Sequence, residues 1–504
     1  MLTSTTPDRV THLVAPRPGR AGRLRHALAT RIGCTGAAGL VGLAVLAAAL
    51  LATALAGLLG GLPPTAAWTL AVFALATWAW VATDLDDTAV ALAAALLLAV
   101  TGALDTDVLF GGLGDEVVWL LVAAFVLGVA VAGSGLADRA AGHLLARARS
   151  PRGLFQLTTL ALVGTTFAVP STSGRAALAL PVFLVLARVL ADRPQLVRGL
   201  ALLVPTVVLL SAVGSLLGAG AHLVTSAVLE EATGDGVSFL RWLVLGLPLA
   251  LVSSHTAAEL VLRQTADRAE RRRPLVVDGA ALAAGTGTPR RLRPAERRVL
   301  GLLVVVVVLW CSEGLHGVDP AVVALGAALV ATAPGVTGTS LGRALAQVPW
   351  SLLLFLAATL ALGTALLESG AAQALAALAV GPLTGSPVAF LVAVVVVSTA
   401  AHLVIASRSA RSAVLVPLVV ALSPAAGVDP VAAALASTAA AGFCHTLPAS
   451  AKPVAIFARV EGVPTYDARD LRRLALPLGP MTAALVLLFV LVGWPVLGLP
   501  YLPS

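Results

Sequence analysis

The chain of 504 residues is 59% hydrophobic and 12% charged, with a formal net charge of +8. Soluble domains carry about 25% charged residues, so the composition excludes an ordinary soluble protein and indicates a polytopic membrane protein. The arginines lie between apolar stretches, as in the cytoplasmic loops of membrane proteins, and the positive charge therefore predicts no nucleic-acid partner. The three cysteines, Cys34, Cys311 and Cys444, are too far apart to indicate a disulfide framework or a metal site.

The N-terminal segment, residues 1–34, carries six arginines. It lacks the early apolar core and cleavage site of a removed signal peptide. It is predicted to be a cytoplasmic tail.

Hydropathy predicts the membrane helices of the first half, residues 35–262. They are expected at about 37–61, 65–83, 88–104, 117–134, 199–228 and 238–262. A segment at about 153–190 does not fit a single span, because small polar residues interrupt two apolar stretches near its middle. Basic residues flank it on both sides, which predicts a re-entrant hairpin on the cytoplasmic side. Two short full spans are the alternative.

Residues 263–298 contain ten arginines and four acidic residues. Such a basic segment after six crossings is typical of a cytoplasmic linker, and it puts the N-terminus on the cytoplasmic side too.

The second half, residues 299–504, repeats this arrangement. Helices are expected at about 299–315, 320–336, 350–370, 430–456 and 474–497, with a second re-entrant hairpin at about 385–423. The predicted fold class is an all-α polytopic membrane protein with about eleven transmembrane helices and two hairpins. It would lie in the cytoplasmic (inner) membrane, with its C-terminus on the extracytoplasmic side.

The two hairpins share a sequence pattern. Both "STSGRAALALP" (171–181) and "SRSARSAVLVP" (407–417) follow S-x-S-x-R-x-A-x-x-x-P. Counted from the second helix, each half has five crossings around one hairpin, and an odd number turns the second half over relative to the first. The pattern predicts an inverted repeat whose hairpin tips meet near the midplane.

The chemistry of the tips indicates an anion. Helix N-termini favour negative charge, and carbonyls and hydroxyls beside them can hold a small cation. An arginine at the bilayer centre costs roughly 2.5–3.5 kcal/mol, and neither hairpin contains an acidic residue to pair with it. An anionic substrate such as a carboxylate, sulfate or phosphate is the expected partner. The candidate substrate-binding residues at the tips are Ser171, Thr172, Ser173, Arg175, Ser407, Arg408, Ser409 and Arg411.

With these tips, the chain resembles the divalent anion sodium symporter (DASS) family of dicarboxylate, citrate and sulfate transporters. Further similarities are helices that begin with Trp119 and Trp350, and the run at 441–480, which is similar to the family's broken tenth helix. The resemblance covers about residues 62–500. It implies eleven helices and two hairpins, a homodimer, and a transport domain that moves as an elevator, with sodium as the candidate coupling ion.

The tips also depart from the family's Ser-Asn-Thr motif. They contain Ser-Thr-Ser at 171–173 and Ser-Arg-Ser at 407–409, so both asparagines are absent. We expect Arg408, with Lys452 nearby, to replace the second cation as a tethered charge, and Lys452 joins the candidate substrate site. A first cation site around Ser171, Thr172 and Gly214 is either kept or lost.

Several alternatives remain open at this stage. Arg175 and Arg411 could snorkel to the membrane surface, and one of three histidines in or beside apolar segments could couple transport to protons. They are His222, His402 and His445. The protein could also carry another ion on the same fold, as an arsenite transporter or a sodium/proton antiporter does, or act as a passive anion channel. A membrane hydrolase is disfavoured, because neither tip has an acidic neighbour to complete a catalytic triad.

The expected function is alternating-access transport of small, divalent anions, driven by a cation or by anion exchange. No enzymatic activity is expected.

Overall fold

The computed structural model describes residues 63–503 with several gaps. The predicted tail at 1–34, the predicted helix at 37–61 and the centre of the linker lie outside the described residues. Every regular element that is described is helical. The gaps fall at 84, 137–138, 140–141, 143–144, 235, 276–291, 373–385, 406 and 447–449.

The longer helices of the first half are labelled α1 to α8 in chain order. They are α1 Pro64–Ala82, α2 Asp87–Val100, α3 Glu116–Ser134, α4 Pro151–Gly164, α5 Thr172–Val189, α6 Pro194–Leu210, α7 Gly220–Thr233 and α8 Phe239–Thr265. Shorter helices cover Thr106–Gly111 and Arg268–Arg272.

The second half continues the labels from α9 to α16. They are α9 Pro294–Cys311, α10 Pro320–Thr332, α11 Trp350–Glu368, α12 Pro387–Ala400, α13 Arg408–Leu422, α14 Pro430–Ala440, α15 Lys452–Ala458 and α16 Ala468–Leu488. A π-helical turn, Phe489–Gly493, extends α16, and short helices cover Glu313–His316 and Leu341–Leu345.

Both hairpins begin with the same capping device. The hydroxyl of Ser150 accepts a hydrogen bond from Gly153 N, and that of Ser386 accepts one from Ala389 N. Proline follows each serine at the first helical position, where its missing N–H costs nothing. The two hairpins therefore start 236 residues apart, which is also the spacing between Arg175 and Arg411.

The predicted continuous helix at 199–228 is wrong. The chain leaves the α-helix at Leu210, runs through 3₁₀ turns at Ser211–Gly214 and Leu216–Gly218, and resumes as α7. A Cβ on Gly218 would lie 2.0 Å from the carbonyl oxygen of Ala212, so only glycine permits this path. Hydropathy missed the break because its residues are themselves apolar. The predicted helix at 430–456 is interrupted in the same way, between α14 and α15.

Helix packing pairs the two halves. Helix α3 packs on α10, and α11 packs on α2. Each hairpin packs on the helix that follows it, α4 and α5 on α6, and α12 and α13 on α14. The helices after the breaks cross between halves, because α7 packs on α13 and α15 packs on α5. Each hairpin tip consequently lies beside the broken helix of the opposite half.

Six of the described helices are long and apolar enough to cross a membrane, judged by length and composition. Large apolar side chains on them are exposed, such as Leu240, Val244 and Val252 of α8. An exposed apolar surface of this kind suits the hydrocarbon interior of a bilayer.

Candidate functional site

The hairpin tips contain the predicted serines at helix N-termini. Ser171 caps α5 by accepting a hydrogen bond from Gly174 N at 3.2 Å, and Ser407 caps α13 by accepting one from Ala410 N at 3.3 Å. Thr172, Ser173 and Ser409 occupy the first turns of these helices and are half-buried. The hydroxyl of Ser171 uses only an acceptor lone pair, so its proton remains available to a ligand, whereas the proton of Ser407 is directed to the carboxylate of Asp87.

Arg175 is fully buried and hydrogen-bonded to the protein. Its Nε donates to Thr165 Oγ1 at 3.0 Å and its Nη1 to Val208 O at 3.1 Å. Its Nη2 donates to Leu162 O at 2.8 Å and to Ser211 Oγ at 2.6 Å. These acceptors lie at the C-terminal ends of α4 and α6, where unpaired carbonyls and the helix dipole favour a cation. Arg175 therefore holds the two helix ends together behind the first tip.

Arg411, the counterpart of Arg175, is equally buried but has fewer partners. Its Nη1 donates to Phe443 O at 3.2 Å, while its Nε and Nη2 have no hydrogen-bond partner among the described residues. No carboxylate in the described part of the chain forms an ion pair with Arg175, Arg408 or Arg411. Ion pairs among the described residues involve other arginines, including Arg139, Arg152, Arg193, Arg198 and Arg273.

Arg408 reaches from the second tip into the break of the opposite half. Its Nη1 donates to Leu209 O at 3.3 Å, and its Nη2 lies 3.1 Å from His222 Nε2. A Cβ on Gly442 would lie 3.1 Å from Nη2, so the guanidinium also touches the broken segment after α14. Arg408 thus joins both breaks, and it takes a carbonyl at a helix end that could otherwise bind a cation.

Ser409, Lys452 and Asp87 surround the second tip. The hydroxyl of Ser409 would lie 3.3 Å from a Cβ on Gly220, the first residue of α7. Lys452 is exposed at the start of α15. The carboxylate of Asp87, at the start of α2, hydrogen-bonds Ser407 and attracts Lys452. Asp87 is positioned by its neighbour Thr88, whose hydroxyl donates to Ser351 O of α11 at 2.9 Å.

The proposed first cation site is not assembled by direct contact. Ser171 faces its own helix and a neighbouring cavity, whereas Gly214 packs against Leu247 and Ala250 of α8. In the described part of the chain no hydrogen bond joins Gly214 to Ser171 or Thr172.

Two cavities flank α3 and α11 at equivalent places. One, of about 510 Å³, contains Ser171 and Gly174 of the first tip together with Arg343. The other, of about 410 Å³, contains Asp115, Glu230 and Glu231 instead. Arg343 therefore places a positive charge in the first cavity beside the hairpin tip, whereas the second cavity is lined by acidic groups.

Sequence reasoning missed Asp87 as a neighbour of the second tip. It lies 320 residues before Ser407 in the chain, and no local pattern connects the two. Helix α11 packs on both α2 and α13 and so brings them together, and these contacts have no signal in a single sequence.

Comparisons with known proteins agree with this architecture. The family described as "Sodium:sulfate symporter transmembrane region" matches residues 37–499. A "Membrane protein" of Cupriavidus necator is 25% identical over 408 residues, which make up 77% of this chain and 76% of that protein.

The fold is also similar to that of a solved transporter. The YdaH transporter of Alcanivorax borkumensis, whose crystal structure "reveals an unusual topology", superposes with a TM-score of 0.54 at 17% identity, covering 79% of this chain and 89% of that one. The resemblance inferred from the hairpin tips is confirmed, and the family is one of transporters rather than enzymes. This multi-pass membrane protein belongs to the sodium:sulfate symporter family.

Proposed function

We propose that the protein is a secondary active transporter of small divalent anions, of the dicarboxylate, citrate or sulfate type. The observation that carries this proposal is the set of three arginines, Arg175, Arg408 and Arg411, at two helix N-termini and without a carboxylate ion pair among the described residues. Buried charges need a partner. A transported anion supplies it during part of the cycle.

The substrate contacts are proposed to come from both tips. The serine and threonine hydroxyls at 171–173 and 409 donate to the anion, and Ser407 does so when its proton turns away from Asp87. Arg408 and Arg411 supply N–H groups that have no protein acceptor in the described residues. Arg175 donates its hydrogen bonds to protein acceptors and contributes its positive charge to the site. Lys452, which is exposed, adds a further cation near Asp87 and Ser407.

The coupling proposal concerns Arg408. Sodium binding at a helix break uses free carbonyls and hydroxyls, and Arg408 already donates to Leu209 O at the α6 break. A guanidinium that occupies this carbonyl acts as a tethered cation. We therefore expect exchange of anions without sodium, and sodium remains the candidate coupling ion only for a site near Ser171 and Thr172.

The transport mechanism is proposed to be an elevator built on an inverted repeat. Helices α4 and α12 each have 14 residues and so extend about 21 Å, short of the roughly 30 Å hydrocarbon core, which favours re-entrant hairpins. The paired packing of α3 on α10 and α11 on α2 suits a repeat. The proposal includes eleven crossings, a homodimer, a cytoplasmic N-terminus and an extracytoplasmic C-terminus in the cytoplasmic (inner) membrane.

The experiment that tests the function is uptake of labelled succinate into proteoliposomes that contain the purified protein. Citrate and sulfate serve as unlabelled competitors, and assays are run with and without a sodium gradient and with and without internal succinate. Uptake that needs internal anion and ignores sodium is the expected result. Uptake driven by sodium alone would overturn the tethered-cation proposal. If succinate, citrate and sulfate, each labelled in turn, all fail to enter, the proposed substrate class is overturned.

A further inference from the structure

Arg175 and Arg411 occupy equivalent places in the two hairpins, yet their surroundings differ at one position. Ten residues before Arg175 stands Thr165, whose hydroxyl accepts from Arg175 Nε at 3.0 Å. Ten residues before Arg411 stands Ala401, which has no hydroxyl. Arg411 Nε is one of the buried atoms without a partner among the described residues. The second hairpin has therefore lost an acceptor that the first one keeps.

The two arginines also differ at Nη2, where Arg175 has a hydroxyl acceptor and Arg411 has none among the described residues. Ser211 follows α6 and accepts from Arg175 Nη2 at 2.6 Å. Thr446 follows α14, but its hydroxyl lies 3.0 Å from His402 Nε2. Arg411 Nη2 is left without an acceptor in the described part of the chain.

His445 adds a further donor to this group. Cys444 N donates to His445 Nδ1 at 3.3 Å, so Nδ1 is the acceptor nitrogen and a neutral ring carries its proton on Nε2. That Nε2 is buried and has no partner among the described residues. His445 is fully buried, two residues after Phe443, whose carbonyl binds Arg411. The centroid of its ring lies 5.3 Å from that of Phe443, so His445 packs against the residue that Arg411 binds.

The remaining polar neighbours do not supply a negative charge. His402 Nδ1 lies 2.5 Å from Thr399 O and therefore donates, which leaves Nε2 to accept from Thr446, so the neutral ring is satisfied. The hydroxyl of Ser412 is buried without a partner and can donate as well. The cluster thus holds N–H donors and a permanent cation, and no described carboxylate pairs with it. Unmet buried donors of this kind are costly unless an acceptor is bound.

We infer that Arg411 and His445, with Ser412, form a buried site for one small anionic group, the size of chloride or of a single carboxylate. Arg411 Nε and Nη2 and His445 Nε2 donate to it. The inference deepens the proposed function, on which it rests for the charge of the substrate, because the group is either a free halide or one charged end of the transported anion. Both have the same chemistry, and the experiment separates them.

The test is binding to the purified full-length protein in detergent, without any gradient, so that its failure is distinct from a failure of transport. Unfolding is followed by tryptophan fluorescence while sodium chloride is added, and in parallel while sodium succinate or sodium sulfate is added to the same sodium concentration. Three variants are compared. Arg411→Gln removes the cation, Ala401→Thr restores the hydroxyl that Thr165 supplies in the first hairpin, and Ala401→Val matches threonine in size without the hydroxyl.

The expected result is a saturable rise of Tm with anion in the wild type and in Ala401→Val. In Ala401→Thr the apparent dissociation constant rises about tenfold, as expected when one charge-assisted hydrogen bond goes to the protein instead, and in Arg411→Gln the response disappears. A response to chloride identifies a free ion, and a response to succinate or sulfate alone identifies the substrate. The inference is overturned by a Tm that none of the three anions changes, or by equal responses of Ala401→Thr and Ala401→Val.

Discussion

Arg408 donates a hydrogen bond from Nη2 to Nε2 of His222, 3.1 Å away, and so joins the second hairpin tip to the start of α7. Arginine has no acceptor, so His222 Nε2 must be unprotonated. The other ring nitrogen, Nδ1, lies 2.9 Å from Ser215 O and therefore carries the proton. The ring packs 5.0 Å from that of Trp242, and the side chain is fully buried. His222 is consequently a neutral residue that positions Arg408, which argues against proton coupling through it in this conformation.

The first prediction concerns Arg408 as a tethered cation. Arg408→Asn restores the asparagine of the Ser-Asn-Thr motif and frees Leu209 O, so we expect uptake of labelled succinate in proteoliposomes to become dependent on a sodium gradient. Arg408→Lys keeps the charge and should stay independent of sodium. Equal sodium dependence of the two variants would contradict the tethered-cation proposal.

The second prediction concerns Asp87. Its carboxylate lies beside Ser407 and repels an anion bound there. Charges a few ångströms apart in a partly buried site interact by roughly 1–4 kcal/mol, so Asp87→Asn should lower the KM for a divalent anion about fivefold.

The neighbouring Asp86 provides a matched control for Asp87. Asp86 caps α2 by accepting from Thr88 N and Ala89 N at 3.0 and 3.2 Å. Asparagine caps helices equally well, so Asp86→Asn should leave the KM for succinate unchanged. A KM in Asp87→Asn that equals or exceeds the wild-type value would show that Asp87 does not face the substrate.

Sequence reasoning works well for the apolar helices. The predicted spans 65–83 and 117–134 agree with α1, Pro64–Ala82, and α3, Glu116–Ser134, because each is a long apolar run ended by polar or turn-forming residues. The matched serines and arginines of the two tips were likewise visible in the sequence. Hydropathy measures transfer into lipid and not the hydrogen-bond path, so it could not detect the break after Leu210.

Sequence reasoning also could not identify contacts between residues that are far apart in the chain. The four acceptors of Arg175 lie within 36 residues of it, yet only the folded break aligns them on one guanidinium. The pairing of Arg408 with His222 spans 186 residues and depends on the packing of α7 against α13. Neither arrangement leaves a pattern in a single sequence.

The third prediction concerns the buried ion pair between Arg139 and Glu296, which ties the segment after α3 to the first turn of α9. Arg139 Nε and Nη2 donate to the two carboxylate oxygens at 3.0 and 3.1 Å, and the side chains are 7% and 1% exposed. Removing one partner of a buried pair costs about 3–5 kcal/mol, because it leaves the other charge uncompensated. Glu296→Gln should therefore lower the Tm measured by tryptophan fluorescence, and the double variant with Arg139→Gln should recover part of the loss.

An exposed ion pair supplies the comparison for Glu296. Asp192 and Arg273 lie 3.2 Å apart with side chains that are 64% and 54% exposed. Exposed pairs contribute about 1 kcal/mol or less, so Asp192→Asn should leave the Tm nearly unchanged. Similar Tm values for Glu296→Gln and Asp192→Asn would mean that the buried pair does not stabilise the fold.

The last prediction concerns Gly246, where α8 passes the broken segment after α6. A Cβ on Gly246 would lie 2.1 Å from Val213 O, the carbonyl that also accepts from Trp242 Nε1 at 2.9 Å. Gly246→Ala must push this segment away, and the segment includes Ser211, a partner of Arg175. Overpacking of this kind costs roughly 1–3 kcal/mol. We expect a lower Tm and a loss of succinate uptake together, because the same displacement disturbs both the packing and the first tip.

Gly301→Ala in α9 is the matched control, since a Cβ there meets nothing within 4 Å, and alanine favours the helix by about 1 kcal/mol. Wild-type Tm and uptake in Gly246→Ala would show that the break tolerates displacement and does not define the site.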